Sequence, residues 1–197
     1  MSQRADARLD SQMAFLTEAD RLKSVNRATR LADGSRYENS AEHSWHIALY
    51  ALVLGEHAPD EVNINRVIRM LLLHDLVEID AGDAPVFGDH DAEAMATKEI
   101  AAATRLFGLL PGGQGDRLRA LWDEFESNQT PDAMFAKSLD RFQPPNQNLA
   151  SGGGSWIEYN VTQEQFEARV GAKIASGAPT LWDWIRPRAA AFFSKRR

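Results

Sequence analysis

The chain has 197 residues, of which 44% are hydrophobic and 25% are charged. These fractions are typical of a globular protein that folds as one domain, and they exclude disorder throughout the chain. The formal net charge of −6 argues against a surface that coats nucleic acid. No apolar stretch reaches the ~18 residues of a membrane span, and the first residues lack a signal-peptide core. We therefore expect a cytoplasmic protein without a membrane or nucleic-acid partner.

The sequence contains no cysteine. Disulfides, a thiol nucleophile and thiolate metal ligands are therefore excluded. Any metal must be bound by imidazole and carboxylate groups, which argues against structural zinc sites and iron–sulfur clusters.

Helical periodicity dominates the chain, and no segment shows the alternation of a strand, so the predicted fold is all-α. The first helix is expected to have an apolar face of four residues, Leu9, Met13, Leu16 and Leu22. Pro144 and Pro145 are expected to end or kink the sixth helix, and Pro187 to interrupt the last. The predicted helices, in chain order, are residues 6–27, 40–58, 64–79, 91–110, 115–128, 131–145, 163–176 and 178–193.

Short polar signals mark where several of these helices begin. Ser40 is expected to be the N-cap of the second helix, and Asn63 the N-cap of the third. Thr162 with Gln165 has the pattern of a capping box. The run "SGGGSW" lacks a preceding strand and the pattern of a P-loop, which favours a connector over a phosphate-binding loop.

Ionisable residues interrupt the third helix. His74 and Asp75 lie within the leucine run of "RVIRMLLLHDLVEI", where a buried carboxylate without a partner would be costly. Glu78 lies four residues after His74 on the same helical face, and Asp83 follows in a glycine-containing turn. One His-Asp pair by itself is usually a satisfied polar pair in a core.

Two other helices also carry a polar residue where an apolar side chain would pack better. His43 lies near the start of the second helix, and Asp140 interrupts the apolar segment "MFAKSLDRF". A divalent cation shared by all three helices would account for these residues together.

The order of these residues resembles the HD-domain metal-dependent phosphohydrolases, whose H…HD…D pattern is matched by His43, His74–Asp75 and Asp140. The segments "RLKSVNR", "ENSAEHS", "LLLHDLVEIDAGD" and "AKSLD" are similar to those of the 5′-deoxynucleotidases, the group that includes HD domain-containing protein 2. The resemblance covers about residues 20–142. The next segment, "LDRFQPPNQNLASGGGSWIEY", resembles instead a bacterial HD subgroup of unassigned substrate.

The resemblance implies one divalent metal with open coordination positions, whose ligands would be His43, His74, Asp75 and Asp140. Such a mixed shell suits Mn²⁺, Co²⁺, Fe²⁺ or Mg²⁺ better than tetrahedral zinc, with nickel as an alternative. A second metal bound through His46 would resemble related phosphodiesterases and di-iron oxygenases. Only His90 lies between the HD pair and the last aspartate, which favours one metal, with His46 in a packing or supporting role.

The resemblance also implies roles in hydrolysis for three further residues. Glu78 would orient or deprotonate the attacking water, Asp83 would act as a general acid or contact the substrate, and Arg27 would contact the phosphate. The implied reaction is hydrolysis of a small phosphomonoester, with a (deoxy)nucleoside 5′-monophosphate favoured as substrate. The alternatives are a phosphodiesterase or pyrophosphohydrolase acting on a cyclic nucleotide or alarmone, and a metal- or nucleotide-binding protein without turnover.

The implied architecture is one HD-type helical bundle of residues 1–197, with the metal site within about 20–142 and a helical extension over about 160–197. The related deoxynucleotidases are dimers, so the resemblance implies a homodimer. Trp182 and Trp184 could form a self-association patch or belong to the core. Trp156 could stack on a base, but packing in the core is favoured.

Overall fold

The computed structural model describes residues 2–196, with side chains from residue 5 onward. Met1 and Arg197, which the predicted domain includes, lie outside the described residues. The fold is 73% helical and 4% strand, which confirms the predicted all-α class. Within the described part of the chain, no helix is long and apolar enough to cross a membrane.

Eleven α-helical segments are present in residues 2–196. In chain order they are α1 Ser2–Ala19, α2 Ser40–Leu54, α3 Ile64–Leu73, α4 Glu78–Ala81, α5 Ala92–Phe107, α6 Gln114–Ser127, α7 Pro131–Ala150, α8 Ser155–Glu158, α9 Gln163–Phe166, α10 Ala172–Gly177 and α11 Pro179–Ser194. A π-helical turn, Glu167–Gly171, joins α9 to α10. Shorter 3₁₀ turns span Asp20–Ser24, Gly55–His57 and His74–Val77.

A short antiparallel ribbon is the element that the sequence did not predict. Strands β1 (Asn26–Arg30) and β2 (Tyr37–Asn39) pair across a turn that contains Gly34 at a φ of 74°. The predicted first helix therefore ends at Ala19, and residues 26 and 27 are extended. The prediction was wrong here because the ribbon is stabilised by cross-strand backbone bonds and not by an alternating apolar pattern, which these residues lack.

The predicted third helix is broken where its polar residues begin. α3 ends at Leu73, and a 3₁₀ turn, His74–Val77, leads into α4. The tighter 3₁₀ winding separates successive side chains by about 120° and changes the direction in which the polar pair projects. Asn63 is the N-cap of α3, as predicted, and accepts a hydrogen bond from the backbone of Arg66.

Two other details of the helix ends differ from the prediction. Asn39, and not Ser40, is the N-cap of α2, where it forms a reciprocal capping box with Glu42. α7 does not end at its two prolines but continues to Ala150. The helix persists because it packs against α2, α3, α6, α10 and α11, and tertiary packing overrides the local cost of a missing amide donor. α11 likewise continues through Pro187.

The core consists of two clusters of buried apolar side chains. The larger joins α2 and α3 to α7 and to the C-terminal helices, and it includes Ile47, Leu139, Trp156 and Ile185. The smaller lies between α1, α5 and the His74–Val77 turn. The C-terminal extension therefore shares its apolar core with the helices that carry the metal-site residues. The Thr162–Gln165 capping box is present as predicted.

The apolar face predicted for α1 is not the buried one. Leu9, Met13 and Leu16 are each more than half exposed, whereas Phe15 is 7% exposed and stacks on Phe107 of α5. Leu22 is buried as expected, in the 3₁₀ turn that follows α1. A single large aromatic side chain, and not the leucine periodicity, sets the orientation of this helix.

The glycine run forms a tight turn between α7 and α8. Gly152, Gly153 and Gly154 all have positive φ angles. A Cβ added at Gly153 would lie 2.6 Å from Ile157 and 2.7 Å from Phe192, whereas one added at Gly152 would meet nothing within 4 Å. The side chain of Asn148 accepts a hydrogen bond from the backbone of Ser155, which closes the turn.

We expect Gly153→Ala to lower the free energy of unfolding by about 3 kcal/mol, because backbone strain adds to the overlap with two side chains. Gly152→Ala has the strain alone and should cost about 1 kcal/mol. Urea unfolding followed by tryptophan fluorescence measures both. Equal losses for the two variants would contradict this account of the turn.

Candidate metal centre and hydrolytic site

Four buried polar side chains meet where α2, α7 and the His74–Val77 turn come together. They are the predicted metal ligands His43, His74, Asp75 and Asp140, each no more than 7% exposed. Single donor atoms of His43, His74 and Asp75 all lie within 4.8 Å of one another. Oδ1 of Asp140 lies 3.1 Å from Nε2 of His43 and 3.8 Å from Nε2 of His74.

The hydrogen bonding of His74 tests whether this cluster fits a cation. Its Nδ1 lies 2.8 Å from the carbonyl oxygen of Leu71, which makes Nδ1 the protonated nitrogen of the neutral ring. Nε2 then has a lone pair, is buried, and has no hydrogen-bond partner, although Oδ1 of Asp75 is 2.8 Å away. A lone pair and a carboxylate oxygen at this distance repel each other unless a proton or a metal cation lies between them. The donor set therefore fits a divalent cation.

His43 is held in the matching orientation by residues that the sequence did not single out. Oε1 of Gln143 lies 3.2 Å from Nδ1 of His43, and Nε2 of Gln143 donates to Glu38 at 2.9 Å. Because the amide nitrogen is committed to Glu38, the amide oxygen must accept, and His43 donates through Nδ1. Its Nε2 therefore faces Asp140, as a metal-binding imidazole with a supporting acceptor requires.

Glu38 is the centre of this supporting network. It is 1% exposed and lies on β2, and it accepts hydrogen bonds from Gln143 and from Gln147. Burial would raise the pKa of Glu38, but its contacts with His43 and Gln147 lower that pKa overall. Gln143 and Gln147 lie three and seven residues after Asp140, on one face of α7. That spacing was the signal available in the sequence.

Without a bound cation, the same contacts favour a charged His43. Burial and the nearby Arg27 guanidinium oppose that charge. Hydrogen bonds to Asp140 and Glu38 outweigh them and raise the pKa of His43 to about 9. The pKa of Asp140 is well below its ordinary value: burial opposes this, but Arg141 and His43 stabilise the carboxylate.

Arg27 lies among three carboxylates next to the metal ligands. Its Nη1 is 2.6 Å from Asp75, 3.7 Å from Glu78 and 3.9 Å from Asp83. Burial would raise the pKa of Asp75, but without a bound cation a protonated His74 ring and the Arg27 guanidinium hold it well below the ordinary value. Nε of Arg27 is buried without a hydrogen-bond partner. The structure thus brings the predicted phosphate-binding arginine to the cluster, where its hydrogen bond to Asp75 uses Nη1 alone.

The two predicted proton-transfer residues, Glu78 and Asp83, each contact Arg27 and accept one hydrogen bond from elsewhere. Ser40 donates a hydrogen bond to Oε2 of Glu78 at 2.5 Å, and the backbone of Ala28 donates to Oδ2 of Asp83 at 3.2 Å. Burial and the charge of Asp75 raise the pKa of Glu78 well above its ordinary range. Burial also raises the pKa of Asp83, although Arg27 opposes the shift. Carboxyl groups with raised pKa values beside a cluster of this kind are suited to proton transfer.

Six of the seven predicted site residues, all except His43, border one cavity. It is lined by Arg27, His74, Asp75, Glu78, Asp83 and Asp140, and also by residues that the sequence prediction did not name, among them Glu99, Glu126, Lys137 and Arg141. Lys137 and Arg141 lie one turn apart on α7. Lys137 contacts Glu126 at 3.1 Å and lies over the Phe125 ring, while Arg141 is 30% exposed and 3.6 Å from Asp140. The cavity therefore has cationic as well as acidic walls.

The remaining histidines lie outside this cavity. His46 contacts Gln143 at 3.2 Å and packs edge-to-face on Tyr50, which agrees with the packing role favoured for it. His57 is exposed at the end of the turn after α2, and His90 is exposed in the loop before α5. Trp156 is 1% exposed and packs against Phe166, so it belongs to the core.

The raised pKa of His43 gives a pH dependence that can be measured. In metal-free protein the stabilisation is fully present below about pH 6.5 and is lost as the pH rises towards 9, because only the charged ring gains from its carboxylate partners. We expect a loss on the order of 3 kcal/mol over this range. Thermal unfolding in the presence of a chelator measures it.

Metal binding requires the neutral ring, so the rise in melting temperature caused by added Mn²⁺ should grow over the same pH range. His57→Gln removes an exposed histidine and should leave both trends unchanged, whereas His43→Gln should abolish them. A melting temperature of the metal-free protein that is constant or rising between pH 6.5 and 9 would contradict the assignment.

Comparison with known proteins agrees with this arrangement. A family model described as HD domain matches residues 19–182. The human 5′-deoxynucleotidase HDDC2 is 30% identical over 132 residues, which cover 66% of this chain and 63% of the human protein. A 5′-deoxynucleotidase of Enterobacter sp. (strain 638) is 30% identical over 138 residues, covering 66% of this chain and 68% of that protein. The chain thus spans less than two thirds of the human relative.

Two solved structures are similar over most of the chain. A protein of Magnetospirillum magnetotacticum MS-1, described as a predicted metal-dependent phosphohydrolase, has a TM-score of 0.88 and 44% identity, covering 94% of this chain and 95% of that one. A conserved hypothetical protein of Pyrococcus furiosus has a TM-score of 0.60 and 19% identity, covering 89% and 99%, and shows the fold alone. The matched family model spans most of the sequence and includes all four residues of the His-Asp cluster: the chain belongs to the HD-domain family.

Proposed function

We propose that this protein is a metal-dependent phosphohydrolase that cleaves the phosphomonoester of a small nucleotide, with a (deoxy)nucleoside 5′-monophosphate as the favoured substrate. The observation that carries the proposal is the unpaired Nε2 of His74, which faces a carboxylate oxygen of Asp75 beside His43 and Asp140. The names of the human and Enterobacter relatives support the nucleotide as substrate.

One divalent cation would be held by His43, His74, Asp75 and Asp140, and Mn²⁺, Co²⁺, Fe²⁺ or Mg²⁺ suits this donor set better than Zn²⁺. When bound, such a cation polarises a phosphoryl oxygen and lowers the pKa of water. Only one cation is proposed, because His46 contacts Gln143 and Tyr50 and is not among the grouped donors His43, His74 and Asp75.

The protein's own side chains would carry the proton transfers and bind the phosphate. Glu78, whose carboxyl is held by Ser40, would orient and deprotonate the attacking water. Asp83, with a raised pKa, would supply a proton to the leaving oxygen. Arg27 would donate to the phosphate through its unused Nε and offset the charge that develops during phosphoryl transfer.

We expect Asp75→Ala to lose both the metal and phosphate release, because it removes a ligand and leaves Arg27 without its closest partner. Glu78→Gln should keep the metal and lose about 10²- to 10⁴-fold in kcat, because only proton transfer is affected. Elemental analysis measures the metal. Chromatographic separation of the products formed from nucleoside monophosphates, cyclic nucleotides and alarmones with each metal measures turnover, because these substrates give a nucleoside with phosphate, a nucleoside monophosphate, and a nucleotide with pyrophosphate, respectively.

Glu126→Gln is the matched control, since Glu126 borders the same cavity but contacts Lys137. It should keep both metal and turnover. Turnover by metal-free Asp75→Ala protein would refute the proposed function. Hydrolysis of alarmones or cyclic nucleotides alone would show that these, and not nucleoside monophosphates, are the substrates.

We propose in addition that the protein is a homodimer that associates through an apolar groove between α2 and α11. Leu49, Val53 and Trp184 line the groove, whose floor is Phe142. Val53 is 64% exposed and Trp184 is 47% exposed, and a contiguous exposed apolar surface of this kind is typical of an association site. Trp182, in contrast, packs on Phe166 and is half-buried.

We expect Val53→Asp to convert the dimer to a monomer, because it places a charge in the groove. Leu16→Asp is the matched control: Leu16 is 56% exposed but lies on α1. Sedimentation velocity at several concentrations measures the mass. A monomeric wild type, or dissociation by Leu16→Asp and not by Val53→Asp, would contradict the proposed interface.

A further inference from the structure

A second cleft adjoins the cavity of the metal ligands. The two share Arg27, Asp83, Ala84 and Arg141, so these residues form the passage between them. Beyond the passage, the cleft lies between the loop after α4, the proline-containing part of α7 and the segment that follows the glycine turn. A molecule with one end at the metal ligands has this cleft as a place for its other end.

The cleft differs in chemistry from the cavity it adjoins. The cavity has charged walls, with Glu99, Glu126 and Lys137 at its far side. The cleft has apolar and aromatic walls, formed by Val86, Phe87, Pro144, Pro145, Trp156 and Tyr159. Its cavity volume is about 70 Å³ and it opens to solvent, so a bound ring would be only partly enclosed and would lie against the exposed side chains of the cleft. A ligand with an anionic end and a flat, largely apolar end matches this pair.

Tyr159 is the aromatic side chain of the cleft that is open to a ligand. Trp156 is fully engaged with Phe166 and Phe193, but Tyr159 is 39% exposed. Tyr159 and Asp83 line the same cleft, and partial burial and the charge of Asp83 raise the pKa of the Tyr159 phenol. An exposed aromatic face beside an anion-binding site is the usual platform for a nucleobase.

The platform is held by the glycine turn. Ser155 donates its backbone N–H to Asn148, and the backbone N–H of Tyr159 donates to the carbonyl of Ser155 at 3.0 Å. Asn148 is 2% exposed and lies on α7, the helix that carries Asp140. One helix therefore positions both the metal-ligand residue and, through the turn, the aromatic ring.

We propose that this cleft binds the base of the nucleotide and that Tyr159 stacks on it, while the phosphate lies at the metal ligands. The inference rests on the proposed function and adds the site that distinguishes a nucleotide from a simple sugar phosphate. Stacking on one aromatic face tolerates any base. Purines should nevertheless bind more tightly than pyrimidines, because their larger rings have more area to stack.

The test compares 2′-deoxyadenosine 5′-monophosphate with 2-deoxyribose 5-phosphate, which has the same phosphate and sugar but no base. Tyr159→Ala should raise KM for the nucleotide about five- to a hundredfold with kcat little changed. Both constants for the sugar phosphate should stay at the wild-type values. Tyr159→Phe keeps the ring and should behave as wild type.

Calorimetric binding of both compounds to Glu78→Gln protein, with and without Tyr159→Ala, separates this inference from the proposed function. If the wild type hydrolyses neither compound while nucleotide binding still weakens in Tyr159→Ala, the proposed function is wrong and the base site stands. If Tyr159→Ala leaves nucleotide binding unchanged, or weakens binding of both compounds equally, the base site is wrong whatever the turnover.

Discussion

The contact between Nε2 of His43 and Oδ1 of Asp140 joins residues 97 positions apart in the chain, inside a core that excludes water. A buried carboxylate and a buried imidazole are each costly alone, and the helices that carry them must pack so that each compensates the other. α7 can reach α2 and α3 at once because it lies at the centre of the larger apolar cluster. The geometry of the site is therefore a consequence of how one central helix packs.

Charge balance imposes a second condition on the same region. Asp75, Glu78 and Asp83 are close together and largely buried, and Arg27 lies within 4 Å of each of them. Without this guanidinium the three carboxylates would repel one another in a medium of low dielectric. Arg27 thus stabilises the fold of the site, and its contacts with these carboxylates are made through Nη1, so its other nitrogens are left for the proposed contact with phosphate.

The sequence predicted the all-α fold and most helices, because amphipathic periodicity and the Asn63 and Thr162 caps act locally. Polar side chains in apolar helices singled out His43, His74, Asp75 and Asp140, whereas Arg27 was predicted only from the resemblance to the HD-domain family. The sequence pattern did not reveal Glu38, because a glutamate in a polar connection is expected to be exposed. Its burial depends on two glutamines from α7. The strands were missed for a similar reason, since their pairing lies in the backbone and not in a side-chain pattern.

Predictions from local sequence were wrong at the prolines of α7 and for the buried face of α1. Two adjacent prolines in α7 looked like a stop, yet surrounding helices keep the segment helical to Ala150. Leucine spacing on α1 looked like a core face, yet Phe15 determines which side is buried. The sequence could not place Tyr159 in a cleft, because Tyr159 and Asp83 line the same cleft only after the chain has turned back at the glycines.

The β1–β2 ribbon carries two buried side chains of opposite sign, Arg27 on one strand and Glu38 on the other. Side chains alternate between the faces of a strand, so a slip of one residue would turn each of them away from its partners. Asn26 lies opposite Asn39 and Arg30 opposite Tyr37, with a register shift between these two pairs. This pairing positions both Arg27 and Glu38, the residue that supports His43. An insertion or deletion between residues 31 and 36 would therefore displace Arg27 and Glu38 together, and with them the contacts of Asp75 and His43.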